Sequence, residues 1–294
     1  MTADVPLDPR LTPARGGLAD IRLRGIVQAE TFVEGVPCRV SAPSAPLYRT
    51  PSPDSGIDTE AVRGDAATLY AESGGFALVQ LLHDGYVGYL PAGSLGEVGP
   101  EPTHRVGAIR SFLYPAPDMK RPPTGHLSLG AAVAVLGTDG DFLKLGEGEY
   151  VFGPHCRPLS AVEPDWAATA ARLVGIPYLW GGRTTLGLDC SGLVQMSVEL
   201  AGLACPRDTD QQERSLGEAL PLDLDLLRRG DLVFWRGHVG MMLDARTLIH
   251  ANGHHMSVAV EPLAEAAARI LAKSYGPVTS LRRITSSLTP SAGA

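Results

Sequence analysis

Three residues in the second half of the chain have side chains that can do covalent chemistry together: Cys190, His238 and His250. Cys190 stands in Asp189-Cys190-Ser191-Gly192-Leu193-Val194-Gln195, shortly after Pro177-Tyr178-Leu179-Trp180-Gly181-Gly182. A thiol at a loop-to-helix junction, with histidines downstream, reads as a nucleophile and its base, and amide hydrolysis is the leading reaction. A free thiol titrates near ~8.5 and is mostly protonated at neutral pH. At a helix start the unpaired N–H groups and the macrodipole favour the thiolate, and a nearby imidazolium favours it further. A lowered pKa is therefore expected at Cys190. Its backbone N–H, at the helix start, is a candidate donor to the oxyanion of a tetrahedral intermediate.

These groups need elements to hold them. A helix is expected from Cys190 to Gly202, a residue suited to ending one. A shorter helix is expected over 164–174, with Trp166, Ala170 and Leu173 on one face. Strands are expected over 231–236, 238–243, 247–250 and 257–260. Helix first and sheet after is an α+β order. The turn near Asp244 joins the two histidine strands and allows two registers. With a loop of 243–245, His238 lies opposite His250. With a loop of 244–246, His238 faces Asn252 and is diagonal to His250. In both, the rings share one sheet face, within roughly 5–8 Å at Cβ, so one can act as base and the other can fix its tautomer.

Upstream, short strands alternate with Gly, Pro, Ser and Asp turns over 31–100, with a hairpin cue at Asp84-Gly85. The rhythm recurs over 101–160, where Phe112-Leu113-Tyr114-Pro115 echoes Ala45-Pro46-Leu47-Tyr48 and Glu149-Tyr150-Val151-Phe152 echoes Tyr86-Val87-Gly88-Tyr89. Two copies of one small barrel are expected. Residues 1–30 form a lead-in arm, mildly helical over 17–29, and residues 161–294 hold the thiol and the histidines.

Taken in order, Pro-Tyr-Leu-Trp-Gly-Gly, Asp-Cys-Ser-Gly-Leu-Val, Pro206-Arg207-Asp208-Thr209-Asp210-Gln211-Gln212, Arg229-Gly230-Asp231-Leu232-Val233-Phe234 and Gly237-His238-Val239-Gly240-Met241 resemble the NlpC/P60 cysteine peptidases over about 163–284. Two bacterial SH3-like units in front are similar to the subgroup of γ-D-glutamyl-L-diamino acid endopeptidases. The resemblance implies a papain-like domain with Cys190 as nucleophile, His238 as base and His250 as third polar residue. It implies hydrolysis of the γ-D-Glu–diamino acid bond in peptidoglycan-derived peptides that begin with a free L-Ala, as in murein peptide recycling. It also implies substrate contacts from Tyr178, Asp189, Ser191 and Thr209. The first SH3-like unit would cap the cleft and bind the free amine through a tyrosine, matched by Tyr86, and an acid, matched by Glu60. An ammonium in a closed cleft needs a carboxylate partner, because an unpaired buried charge is costly. Asp189 is the first candidate for that partner and Glu60 the second.

Composition narrows the rest. The net charge of −7, the pI near 5.6 and the lack of a basic run argue against nucleic acid or an anionic membrane as partner. No apolar run approaches the ~18 residues of a membrane span. The first residues do not read as a secretory signal, so a cytoplasmic location is expected. Cys38, Cys156 and Cys205 show no metal spacing and read as packed free thiols. His250, His254 and His255 carry the spacing of a zinc cluster, but Asn252-Gly253 signals a turn between them, and no metal or cofactor is expected. His83, in a turn-like place, has no assigned role. Two other readings compete: a non-catalytic module that binds cell-wall peptide or a partner, and an amidase or acyltransferase on the same fold.

Overall fold

A computed structural model describes residues 7–285. In the first unit, Ser44–Tyr48 buries Ala45 and Leu47 and leaves Ser44, Pro46 and Tyr48 only half-covered. That period of two is what a sheet with one buried face requires. The strands order as Leu95–Gly96, Val36–Val40, Ala66–Ser73, Phe76–Leu81, Val87–Pro91, Ser44–Tyr48 and Ile57–Val62. Their inward side chains, among them Val40, Leu47, Ala61, Val79, Leu81 and Leu90, form one core. The expected hairpin joins Phe76–Leu81 to Val87–Pro91, and Gly85 takes the positive φ of 77° that its turn needs.

The second unit repeats the pattern with less. A five-stranded sheet, centred on Glu149–Phe152 between Arg110–Tyr114 and Phe142–Gly146, meets a three-stranded one around His104–Val106. Val106, Leu113, Leu127, Val133 and Val151 fill its core. The mild helical expectation over 17–29 is not met. Strands Ala14–Arg15, Leu18–Asp20 and Thr31–Val33 form a small sheet, with a single 3-10 turn at Ile21–Leu23. Positive φ at Gly16, Gly17 and Gly25 breaks any helix there, and Asp20 accepts the Arg22 N–H to close the turn.

In the third unit α1 spans Trp166–Ala171 and α2 spans Cys190–Leu200. A six-stranded antiparallel sheet follows, ordered Glu218–Leu220, Val278–Arg283, Leu232–Trp235, His238–Met242, Thr247–Asn252 and Ser257–Pro262. Helix α3 is Thr209–Ser215 and α4 is Leu263–Lys273; neither they nor the last strand was expected from the sequence. One sheet face packs Phe234, Val239, Met241 and Ile249 against Leu193, Val194 and Val198 of α2. The other packs Val233, Trp235, Met242 and Leu248 against Leu263, Ala266 and Ile270 of α4. With both faces covered, Leu232–Trp235 is apolar at every position, as a doubly buried strand must be. Among the described residues no helix is long and apolar enough to cross a membrane.

Candidate active site

Cys190 begins α2 because Asp189 caps it. The Asp189 backbone is extended, and its Oδ1 accepts the Gly192 N–H at 2.7 Å. Gly192 has no alternative: a Cβ there would lie 2.3 Å from the Gly182 carbonyl oxygen. The Cys190 thiol is 7% exposed. It meets the Thr209 hydroxyl at 3.7 Å, and the Val239 backbone N–H donates to it. Val239 directly follows His238, so the thiol sits at the end of the strand that carries the imidazole.

The lowered thiol pKa expected from the helix start is not what the environment gives. Burial, and then the Asp189 charge, push Cys190 up to about 11, outweighing the bonds from Thr209 and Val239. At neutral pH Cys190 therefore rests as a thiol and not as a thiolate.

His238 and His250 stand on the pair of strands in which Met241 pairs with Ile249 and Met242 with Leu248, so the second of the two registers is realised. His238 Nε2 lies 2.8 Å from His250 Nδ1, and both rings are buried. With Nε2 committed to His250, Nδ1 is the ring nitrogen of His238 left for another partner. Burial, assisted by His250 and Arg269, pushes the His238 imidazolium down to about 3, and burial also lowers His250. Tyr275 stacks on His238 with ring centroids 5.2 Å apart and planes 7° from parallel. Its own pKa is raised by burial and by the Cys190 charge, so one ring neighbours both groups. Tyr178 is raised by burial and, next, by Cys190, which places its hydroxyl within electrostatic reach of the sulfur.

Asp189 is not the free carboxylate that the ammonium argument asked for. Oδ1 accepts from Gly192 N, Ser191 Oγ and Arg207 Nη1, and Oδ2 from Gly181 N and Arg207 Nη2. Its charge is balanced by Arg207, a fully covered guanidinium that also donates to Ser191 Oγ at 2.8 Å and to Thr59 Oγ1 at 2.6 Å. Ser191 therefore faces this network as well.

Glu60 and Tyr86, expected from the first unit, do reach the third. Glu60 Oε2 accepts the Arg183 N–H at 2.9 Å, and burial raises its pKa. The Tyr86 hydroxyl donates to Asp208 Oδ2 at 3.2 Å, and the same oxygen receives Arg10 Nη1 at 2.8 Å. Arg10 also pairs with Asp210, so the N-terminal arm is strapped to the start of α3. A second cluster joins the two units. Arg183 bridges Asp65 at 2.8 Å and Glu199 at 3.1 Å, while Asp84 takes His83 at 3.2 Å and Gln195 at 2.9 Å. His83, which had no assigned role, belongs here, and its acidic neighbours outweigh burial and Arg183 to raise it to about 9. An open groove of about 1010 Å³, lined by Arg10, Arg49, Asp58 and Arg214, lies beside this strap and not at the thiol.

Sequence reasoning gave no role to Arg207, Asp208, Glu261 or Tyr275. The first two stand inside a quoted motif, so their position was visible though their partners were not. Glu261 bonds His250 Nε2 at 2.6 Å and Arg269 through both oxygens. His250, His255 and Glu261 lie within 4.8 Å of one another, which differs from the His250–His254–His255 grouping, and Arg269 already occupies the carboxylate that a cation would use.

The NlpC/P60 family pattern matches residues 175–270, and that of the bacterial dipeptidyl-peptidase SH3 domain matches residues 47–95. A γ-D-glutamyl-L-lysine dipeptidyl-peptidase of Bacillus cereus is 25% identical over 240 residues, covering 70% of this chain and 71% of its own. A protein of the same name from Bacillus subtilis is 26% identical, covering 72% and 78%. The crystal structure of an NlpC/P60 family protein from Bacillus cereus superposes with a TM-score of 0.70 at 20% identity, over 84% of this chain and 99% of that one. That likeness carries the fold: α+β, with a papain-like domain behind SH3-like β-barrels. Family matches and fold agree: the chain carries an NlpC/P60 domain over residues 175–270, with a bacterial SH3 domain at 47–95 in front of it.

Proposed function

We propose that this chain is a cysteine peptidase that cuts the γ-D-glutamyl–L-diamino acid bond of peptidoglycan-derived peptides with a free N-terminal L-Ala. The observation that carries the reading is the coupled pair His238 Nε2–His250 Nδ1 at 2.8 Å, on the strand whose next backbone N–H bonds the Cys190 sulfur. The names of the two Bacillus relatives support the substrate class.

In this reading His238 Nδ1 takes the Cys190 proton as Sγ attacks the γ-glutamyl carbonyl carbon. The oxyanion is met by the Cys190 N–H and the Tyr178 hydroxyl. The same proton then passes to the leaving α-amine of the diamino acid, and a thioester remains. Water, deprotonated by His238, hydrolyses it. Thr209 and Ser191 border the acyl side, and Asp189 holds the loop before the nucleophile through Gly181. Tyr86, with Glu60 and Asp208, closes the end of the cleft and takes the ammonium. A closed end accepts released peptides and excludes glycan-linked chains, which suits a recycling role. The division into 31–100, 101–160 and 161–294 is kept as part of this proposal, with the described part of the 1–30 arm serving the first unit; residues 1–6 and 286–294 lie outside the described residues.

The test is incubation of wild type and Cys190→Ala with L-Ala-γ-D-Glu-meso-diaminopimelate, its L-lysine analogue and the N-acetylated peptides, with products read by mass spectrometry. Wild type should release L-Ala-D-Glu from the free peptides only, and Cys190→Ala should release none. Wild type leaving all four peptides intact under reducing conditions would refute the proposal.

A further inference from the structure

Glu261 sits on Ser257–Pro262, where Ala259 pairs with His250, so Glu261 falls two residues further along on the same face. Its Oε1 is 2.6 Å from His250 Nε2. Arg269, from α4, grips Oε2 through Nη1 and Oε1 through Nη2, each at 2.5 Å. A carboxylate held by a fork of guanidinium N–H groups stays ionised and can only accept.

This fixes every proton along the line. His250 must carry its hydrogen on Nε2, facing Glu261. Neutral His250 then offers only a lone pair at Nδ1, so His238 Nε2, 2.8 Å away, must be the donor. The hydrogen of His238 is thereby committed to Nε2, and the lone pair of the ring is left on Nδ1.

Resting on the cysteine-peptidase reading, we propose that Glu261, clamped by Arg269, is a positioning residue that sets the tautomers of both histidines and so presents the basic nitrogen of His238 to the Cys190 thiol. Glu261 touches neither substrate nor sulfur. It acts through two imidazoles, by fixing which ring nitrogen of each carries the hydrogen.

The experiment labels the histidines of the full-length chain with ¹⁵N and reads their ring nitrogens by two-bond ¹H–¹⁵N correlation, beside steady-state kinetics of Glu261→Gln. Wild type should show His250 and His238 both protonated at Nε2. Glu261→Gln should lose that single pattern, and kcat should fall ~10–100-fold, as on loss of an outer partner of a working imidazole. KM should stay within about twofold, because no substrate contact is removed. His250 protonated at Nδ1 in wild type would overturn the proposal, whether or not the variant folds. So would a Glu261→Gln protein with wild-type tautomers and wild-type kcat. The expected tautomers in a wild type that cuts no peptide would uphold the placement and defeat the peptidase reading.

Discussion

Arg207 grips Asp189 with both arms of its guanidinium: Nη2 meets Oδ2 at 2.7 Å and Nη1 meets Oδ1 at 3.0 Å, with Arg207 only 1% exposed. The residue before Cys190 is thus held by the motif that opens α3. Arg207→Met should leave Asp189 as an uncompensated buried charge and cost about 3–5 kcal/mol, the range for breaking a buried pair from one side. Urea unfolding followed by circular dichroism measures it. A midpoint equal to that of wild type would show the pair to be dispensable.

His250→Ala should remove the partner that orients His238 without emptying the thiol site. We expect kcat to drop about 10²–10⁴-fold, the scale seen when the third member of a nucleophile–base chain is lost. Stopped substrate assays by chromatography would read it, and a loss below threefold would mean that His238 is held by other means, such as the Tyr275 stack.

Acid should disable the fold before it disables the base. In the unfolded chain His238 binds a proton as the pH falls below its ordinary 6.5, whereas burial keeps the folded ring neutral down to about 3. Stability is whole above the first value and is lost on going down between the two, at up to about 1.4 kcal/mol per pH unit. His238→Gln should flatten the fall of Tm with pH in that window. The acid limb of kcat/KM should likewise lie below 6.5, because the free ring remains unprotonated there. A limb at or above 6.5, or parallel Tm curves for the two proteins, would contradict the placement of a neutral buried imidazole.

Gly192→Ala should cost activity out of proportion to its size. The new methyl would meet the Gly182 carbonyl oxygen at 2.3 Å, backbone against helix, so either α2 or the 181–182 loop must move. Both carry the thiol site: α2 bears Cys190, and Gly181 N–H bonds Asp189. The expected result is a kcat loss of ~100-fold or more, by the sensitivity of catalysis to ~1 Å misplacement. An active, stable Gly192→Ala protein would show that the loop gives way freely.

Much of this site was legible because its chemistry is written in local runs. Asp189-Cys190-Ser191-Gly192 states an N-cap, a thiol at the first helical position and a close approach in four letters. The histidine pair followed from strand parity alone, although its register had to wait for the Leu243–Thr247 bond. What stayed hidden depends on contacts between distant segments. Asp189 looked like a substrate carboxylate because nothing in the sequence says that Arg207 folds onto it. The raised thiol pKa was missed because a helix start is visible in one dimension and desolvation is not. Helix α4 opens with Pro262 as its N-cap and has no side-chain cap bond, so the usual start signal is absent and Arg269 with it. The arm misread as helical shows the same limit, since its strands are defined by partners.

The first barrel and the papain-like unit meet through polar contacts: Arg183 pairs with Asp65, Arg207 donates to Thr59 and Gln195 donates to Asp84, while Arg10 of the N-terminal arm pairs with Asp208 and Asp210 beside them. Removing the first barrel would take Asp65 from Arg183 and Thr59 from Arg207, both of them buried. A papain-like unit freed of this barrel should therefore be less stable than the same unit with the barrel attached.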